Sequence, residues 1–120
     1  MMRLLSSVLA FVKGIGVMRQ SVRGVVDGFI LRDFDGSHSI RLSEVVSVDG
    51  AKVDKVTYEE NFLVLTMIDG RRIAIGELAD GFLKFVAEIT ASLPDFPNAW
   101  SSCIEKAQTG DEIRLWPRPR

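Results

Sequence analysis

The sequence is poor in the residues most used for catalysis and cross-linking. One cysteine in 120 residues, Cys103, leaves no intramolecular disulfide and no cysteine zinc cluster. One histidine, His38, excludes any site that needs two imidazoles. The apolar run near the N-terminus, residues 4–12, contains Ser6 and Ser7 and is followed at once by Lys13. It is far shorter than the ~20 residues a membrane-spanning helix needs. No small-x-small cleavage site precedes Gly14 and Gly16, so a secretory signal fits poorly. Gly14-x-Gly16 lacks the third glycine, the preceding strand and the downstream acid of a dinucleotide loop, and no P-loop or Gly-x-Ser-x-Gly string occurs.

What is there is an ordinary globular composition, 47% hydrophobic and 26% charged, which excludes whole-chain disorder and suggests a single domain over 1–120. The net charge of −1 gives no general footprint for nucleic acid. The average hides an uneven distribution. Arg3, Lys13, Arg19 and Arg23 stand without an acid in residues 1–24, and Arg114, Arg118 and Arg120 close the chain. All 16 acids lie between, in a segment that carries a net charge of −8. An acidic body with basic ends is the clearest functional hint in the composition.

Hydrophobic periodicity predicts the elements. Leu5, Val8, Leu9, Val12 and Ile15 recur at helical spacing, which suggests an amphipathic N-terminal helix over 1–18. Its apolar stripe (Leu5, Val8, Leu9, Val12) would be covered by the domain itself, by a second copy in a homodimer, or by a membrane surface, with Met18 as a second candidate start. Antiparallel strands are expected over 22–76: one from Val22 to Arg32, and a second from Ile40 toward Val53 with bends at Ser43-Glu44 and Gly50. A third strand runs from Phe62 to Ile68 and a fourth from Arg71 to Ile75. Asp69-Gly70 between these last two is a strong hairpin signal, since a two-residue turn wants positive φ at both central positions.

The period then changes to 3.6, predicting two helices over 80–107. Asp80 would cap the first, which buries Phe82, Phe85, Val86 and Ile89 on a sheet containing Val64 and Ile73 and ends at Pro94. Asn98 would cap the second, running to about Ala107. A closing strand follows at 112–116. This order predicts an α+β fold: a curved antiparallel sheet of four to five strands, a meander covered by C-terminal helices. Consecutive hairpins followed by a C-terminal helix are also similar to pleckstrin-homology-like half-barrels.

The stretch from Leu42 to Trp116 combines Ser43-Glu44-Val45-Val46-Ser47-Val48, Lys52-x-Asp54, the Asp69-Gly70 hairpin and Gly81-Phe82-x-x-Phe85. Leu93-Pro94-x-x-Pro97-x-x-Trp100 and Leu115-Trp116-x-Arg118 follow. Together these resemble a group of small bacterial proteins, some of them similar to immunity proteins encoded near toxins. The resemblance covers about two-thirds of the chain, rests on packing and turn residues, and carries no catalytic residue over.

The remaining constellations speak against an enzyme. Asp33-x-Asp35-Gly36-Ser37 has the alternating oxygens of a calcium loop but lacks its third acid and distant glutamate, and reads as a turn. Cys103 beside Trp100 and Ile104 reads as a buried thiol without a neighbouring base. The carboxylate pairs sit in turns, where solvation keeps both members ionised. No catalytic, cofactor or metal residue is therefore expected. The expectation is a cytoplasmic protein-binding domain in which Asp33, Asp35, Asp54, Glu59 and Glu60 steer a basic partner, such as a toxin, toward Tyr58. Membrane attachment through the N-terminal stripe is the alternative, and a small enzyme the third reading.

Overall fold

The computed structural model describes residues 20–33 and 35–117, and the predicted N-terminal helix lies outside them. Among the described residues, two antiparallel sheets and two α-helices make up an α+β fold. The sequence between Val22 and Arg32 is not one strand but a hairpin, β1 (Ser21–Val25) with β2 (Gly28–Asp33). Its turn, Val26-Asp27, places Asp27 at φ 68°, a left-handed conformation that a short polar side chain tolerates. β3 (Gly36–Arg41) pairs with β2 and completes a three-stranded sheet, β1-β2-β3. Gly28 permits the crossing, because a Cβ there would meet the Ile40 carbonyl oxygen at 1.9 Å.

A 3-10 turn at Leu42–Glu44 then breaks the second expected stretch and sends the chain into another sheet. β4 (Val45–Asp54), β5 (Glu59–Met67), β6 (Arg72–Gly76) and β7 (Glu112–Trp116) form it in the order β6-β5-β4-β7. The expected single sheet of four to five strands is thus corrected, among the described residues, to seven strands in two sheets. β7 lies where a closing strand was predicted, and it returns after the helices to pair antiparallel with β4. The β5–β6 hairpin also forms as expected, with a different turn. Four residues, Ile68 to Arg71, connect the strands, only Gly70 among them has positive φ, and the Met67 amide donates to the Arg71 carbonyl at 2.8 Å.

α1 (Phe82–Ser92) presents the expected apolar face, and Phe82, Phe85, Val86 and Ile89 are all buried. Asp80 does not cap it. Gly81 occupies the N-cap at φ 85°, with no side-chain cap bond, because the β1 backbone passes there: a Cβ on Gly81 would meet the Val22 carbonyl oxygen at 2.0 Å. The Asp80 backbone instead joins β1, accepting from the Val22 amide and donating to the Gln20 carbonyl. α2 (Trp100–Glu105) is shorter than the predicted helix; its N-cap is Ala99 rather than Asn98.

The main core lies between the two sheets and the helices. Phe85 meets Phe29 edge-to-face at 4.9 Å and packs in one cluster with Leu63, Leu65, Ile73 and Ile75. Val64 belongs to the other face of the four-stranded sheet, in a second cluster with Ala51, Val53, Phe62 and Ala74. Placing Val64 under α1 was therefore wrong by one residue of strand alternation.

Candidate functional site

The β4–β5 hairpin is the longest projection of the larger sheet, and it carries three of the predicted partner-binding residues at its tip. Asp54 and Glu59 form the last pair of the ladder, leaving Lys55, Val56, Thr57 and Tyr58 as the loop. The loop is tightly self-bonded. The Lys55 amide donates to the Tyr58 carbonyl at 2.8 Å, the Thr57 amide to the Lys55 carbonyl at 3.0 Å, and the Val56 amide to Asp54 Oδ1 at 2.8 Å. These bonds hold Val56 at φ 78°, which a β-branched residue strongly disfavours, with its side chain 94% exposed. Tyr58 beside it is 48% exposed. Sequence reasoning missed Val56, since one valine between polar residues gives no periodic signal.

A second loop braces the tip. The Gly110 amide donates to the Lys52 carbonyl at 3.0 Å, and Thr109 Oγ1 donates to Glu59 Oε2. Exposed Asp111, in the same loop, therefore joins Asp54 and Glu59 at this end of the sheet. Lys52 points to the other side, where its Nζ donates to the Glu105 carbonyl at 3.1 Å and lies 3.7 Å from the Glu105 carboxylate. A cation at the C-terminal end of α2 suits the helix dipole and locks the helix to β4.

The other predicted acids do not join this surface. Glu60 is only 7% exposed, because the ladder continues through Val53–Glu60 and turns its side chain to the face of Phe62 and Val64. Burial pushes the Glu60 carboxyl above its ordinary range, against the opposing effects of the Leu78 amide and Lys55. Asp33 and Asp35 lie at the β2–β3 turn, beside the Arg71–Ala74 segment and hence at the opposite end of β5. Nine residues of strand separate the two ends, roughly 27 Å at 3.4 Å per residue.

Asp33 is no surface charge either. Its side chain is 1% exposed, its Oδ1 accepts from the Asp35 amide at 2.8 Å, and His38 Nε2 lies 3.3 Å away. The calcium-like string is thus a turn knotted on its own first carboxylate. Asp33 and His38 line a cleft of about 250 Å³ with Leu31, Arg71, Arg72 and Ile73. Among the described residues, no three histidine, cysteine or acidic side chains gather as a metal site.

Charges elsewhere on the sheet are paired. Arg72 reaches across from β6 to Asp49 (3.2 Å) and Glu112 (2.6 Å), while Arg114 Nε donates to Asp49 Oδ1 at 2.6 Å. Arg71 turns to Asp69 at 2.8 Å. Cys103 packs against the main core with Trp100. Leu5, Val8, Leu9 and Val12 lie outside the described residues, and no described helix is long and apolar enough to cross a membrane. Comparison with family models, curated proteins and solved structures returned no match to this chain.

Proposed function

We propose that this chain is a non-enzymatic protein-binding domain that captures a basic partner through the β4–β5 hairpin tip. Its most specific form is an immunity-type protein that neutralises a cationic toxin in the cytoplasm. The observation that carries the reading is Val56, an apolar β-branched residue held in a left-handed conformation and exposed to solvent. Folding gains nothing from exposing that side chain, whereas a partner can bury it with Tyr58 as an apolar anchor. Asp54, Glu59 and Asp111 surround the anchor with negative charge, which attracts a cationic face and repels polyanions. The pleckstrin-homology-like likeness is part of the proposal: two antiparallel sheets and a following helix favour it, while the return of β7 to β4 sets this chain apart.

The experiment is a binding titration with a purified basic toxin, sought first among the products of adjacent genes. Tyr58→Ala is expected to weaken binding by more than ten-fold, as loss of an aromatic anchor does, with an unchanged melting temperature. Unchanged affinity in both Tyr58→Ala and Val56→Ala contradicts the assignment of the tip.

A further inference from the structure

The larger sheet is buried on both faces, and the second face has no described helix on it. Ala51, Val53, Phe62, Val64 and Ala74 are each 0–3% exposed in the chain and form a cluster of their own. The pairs Ala51–Phe62 and Val64–Ala74 put them on one face. Every buried residue of α1 and α2 belongs to the other cluster. A sheet with one face open to water alternates in burial along its strands, but β5 is buried without interruption from Glu60 to Leu65.

We infer that this second face is the seat of the N-terminal segment, residues 1–18, bound within the same molecule. The described chain starts where such a segment must leave the sheet. Gln20 lies along the free edge of β6, where its Nε2 donates to the Ala74 carbonyl and its Oε1 accepts from the Gly76 amide, each at 2.9 Å. Ala74 is itself a member of the cluster. The stripe Leu5, Val8, Leu9 and Val12 belongs to a stretch of about 12 residues, roughly 18 Å long as a helix. Three strand spacings separate the two edges of this sheet, about 14 Å. The five residue-to-residue steps from Ile15 to Gln20 span up to about 17 Å, so the stripe reaches the whole patch.

Charge agrees with an apolar occupant. The charged groups on this face have partners of their own: Arg72 pairs with Asp49 and Glu112, Arg114 with Asp49, Glu60 accepts from the Leu78 amide, and Lys55 Nζ lies 5.5 Å from the centre of the Phe62 ring. A second copy could bring the same stripe, but the anchor at Gln20 gives the chain's own segment a high effective concentration that a separate molecule lacks.

The test uses the full chain with Cys103→Ser, Ser7→Cys and Thr66→Cys. Thr66 lies on the second face at the rim of the cluster, opposite Arg72. A short flexible bismaleimide at low micromolar protein is expected to give an intramolecular link in the monomer. That link should be lost in urea and strongly reduced by adding Leu9→Asp. Two results overturn the inference: cross-linked dimers in place of the internal link, which assign the stripe to a second copy, or no internal link above the urea control. Sedimentation of the full chain with anionic phosphatidylserine vesicles reads the remaining occupant. Wild type is expected to stay in the supernatant, and co-sedimentation abolished by deleting residues 1–18 overturns the inference in favour of a membrane.

Discussion

At the scale of single residues, Val56 and Glu60 are the two places where the chain accepts a local cost. A β-branched residue at positive φ stores about 1–3 kcal/mol. Val56→Gly removes the Cβ that makes the conformation unfavourable and is expected to raise stability by about 1 kcal/mol in thermal unfolding. The same change is expected to weaken partner binding; that combination marks a residue kept for recognition rather than for folding. Glu60 is the reverse case, a charge hidden where the sequence suggests display. Burial raises its carboxyl pKa above the ordinary 4.5, so the folded chain holds the proton more tightly than the unfolded chain. The associated stability is fully present below the unfolded value and is lost as pH rises from about 4.5 through the folded value. Glu60→Gln keeps an acceptor for the Leu78 amide and has no such loss. Its stability relative to wild type should therefore increase with pH across that window, as read by urea unfolding at several pH values.

At the scale of elements, legibility followed periodicity. The face of α1, the closing strand at 112–116 and the β5–β6 hairpin were readable because α1 repeats its apolar residues at helical spacing, Ile113 and Leu115 alternate, and two apolar runs flank a glycine at the hairpin turn. Phe85 anchors that face, fully buried against Phe29 and Phe82. Phe85→Ala is expected to cost about 3–5 kcal/mol, and an unchanged melting temperature contradicts the packing described. Other boundaries were hidden by physical causes that local sequence does not display. Val25-Val26 reads as continuous strand, although the turn falls on Asp27, where a carboxylate side chain takes positive φ one position before the glycine. Asp80 looks like a cap, but its backbone is recruited by β1 and Gly81 must admit the Val22 carbonyl. Glu59-Glu60-Asn61 looks like loop by composition, yet pairing with Lys52–Asp54 draws all three into β5. The signal that survives is the spacing of Glu60, Phe62 and Val64 at i, i+2, i+4, which places the glutamate on an apolar face.

At the scale of the whole molecule, the exposed acids expected to steer a partner divide between two ends of the fold. Asp54, Glu59 and Asp111 surround the β4–β5 tip, whereas Asp35 lies at the β2–β3 turn and Asp33 is buried there. A recognition surface made by the hairpin tip is therefore separable by charge from the opposite end, which net composition could not reveal. The most direct test is the association rate with the basic protein identified in that titration, measured by stopped flow at low and moderate salt. Glu59→Lys is expected to slow association several-fold at low salt and to flatten its salt dependence, because a rim charge acts mainly on encounter. Asp35→Lys, with the same change in net charge at the β2–β3 turn by the other end of β5, is expected to change the rate far less. Equal slowing by the two variants, or none by Glu59→Lys, would contradict the hairpin tip as the surface of recognition.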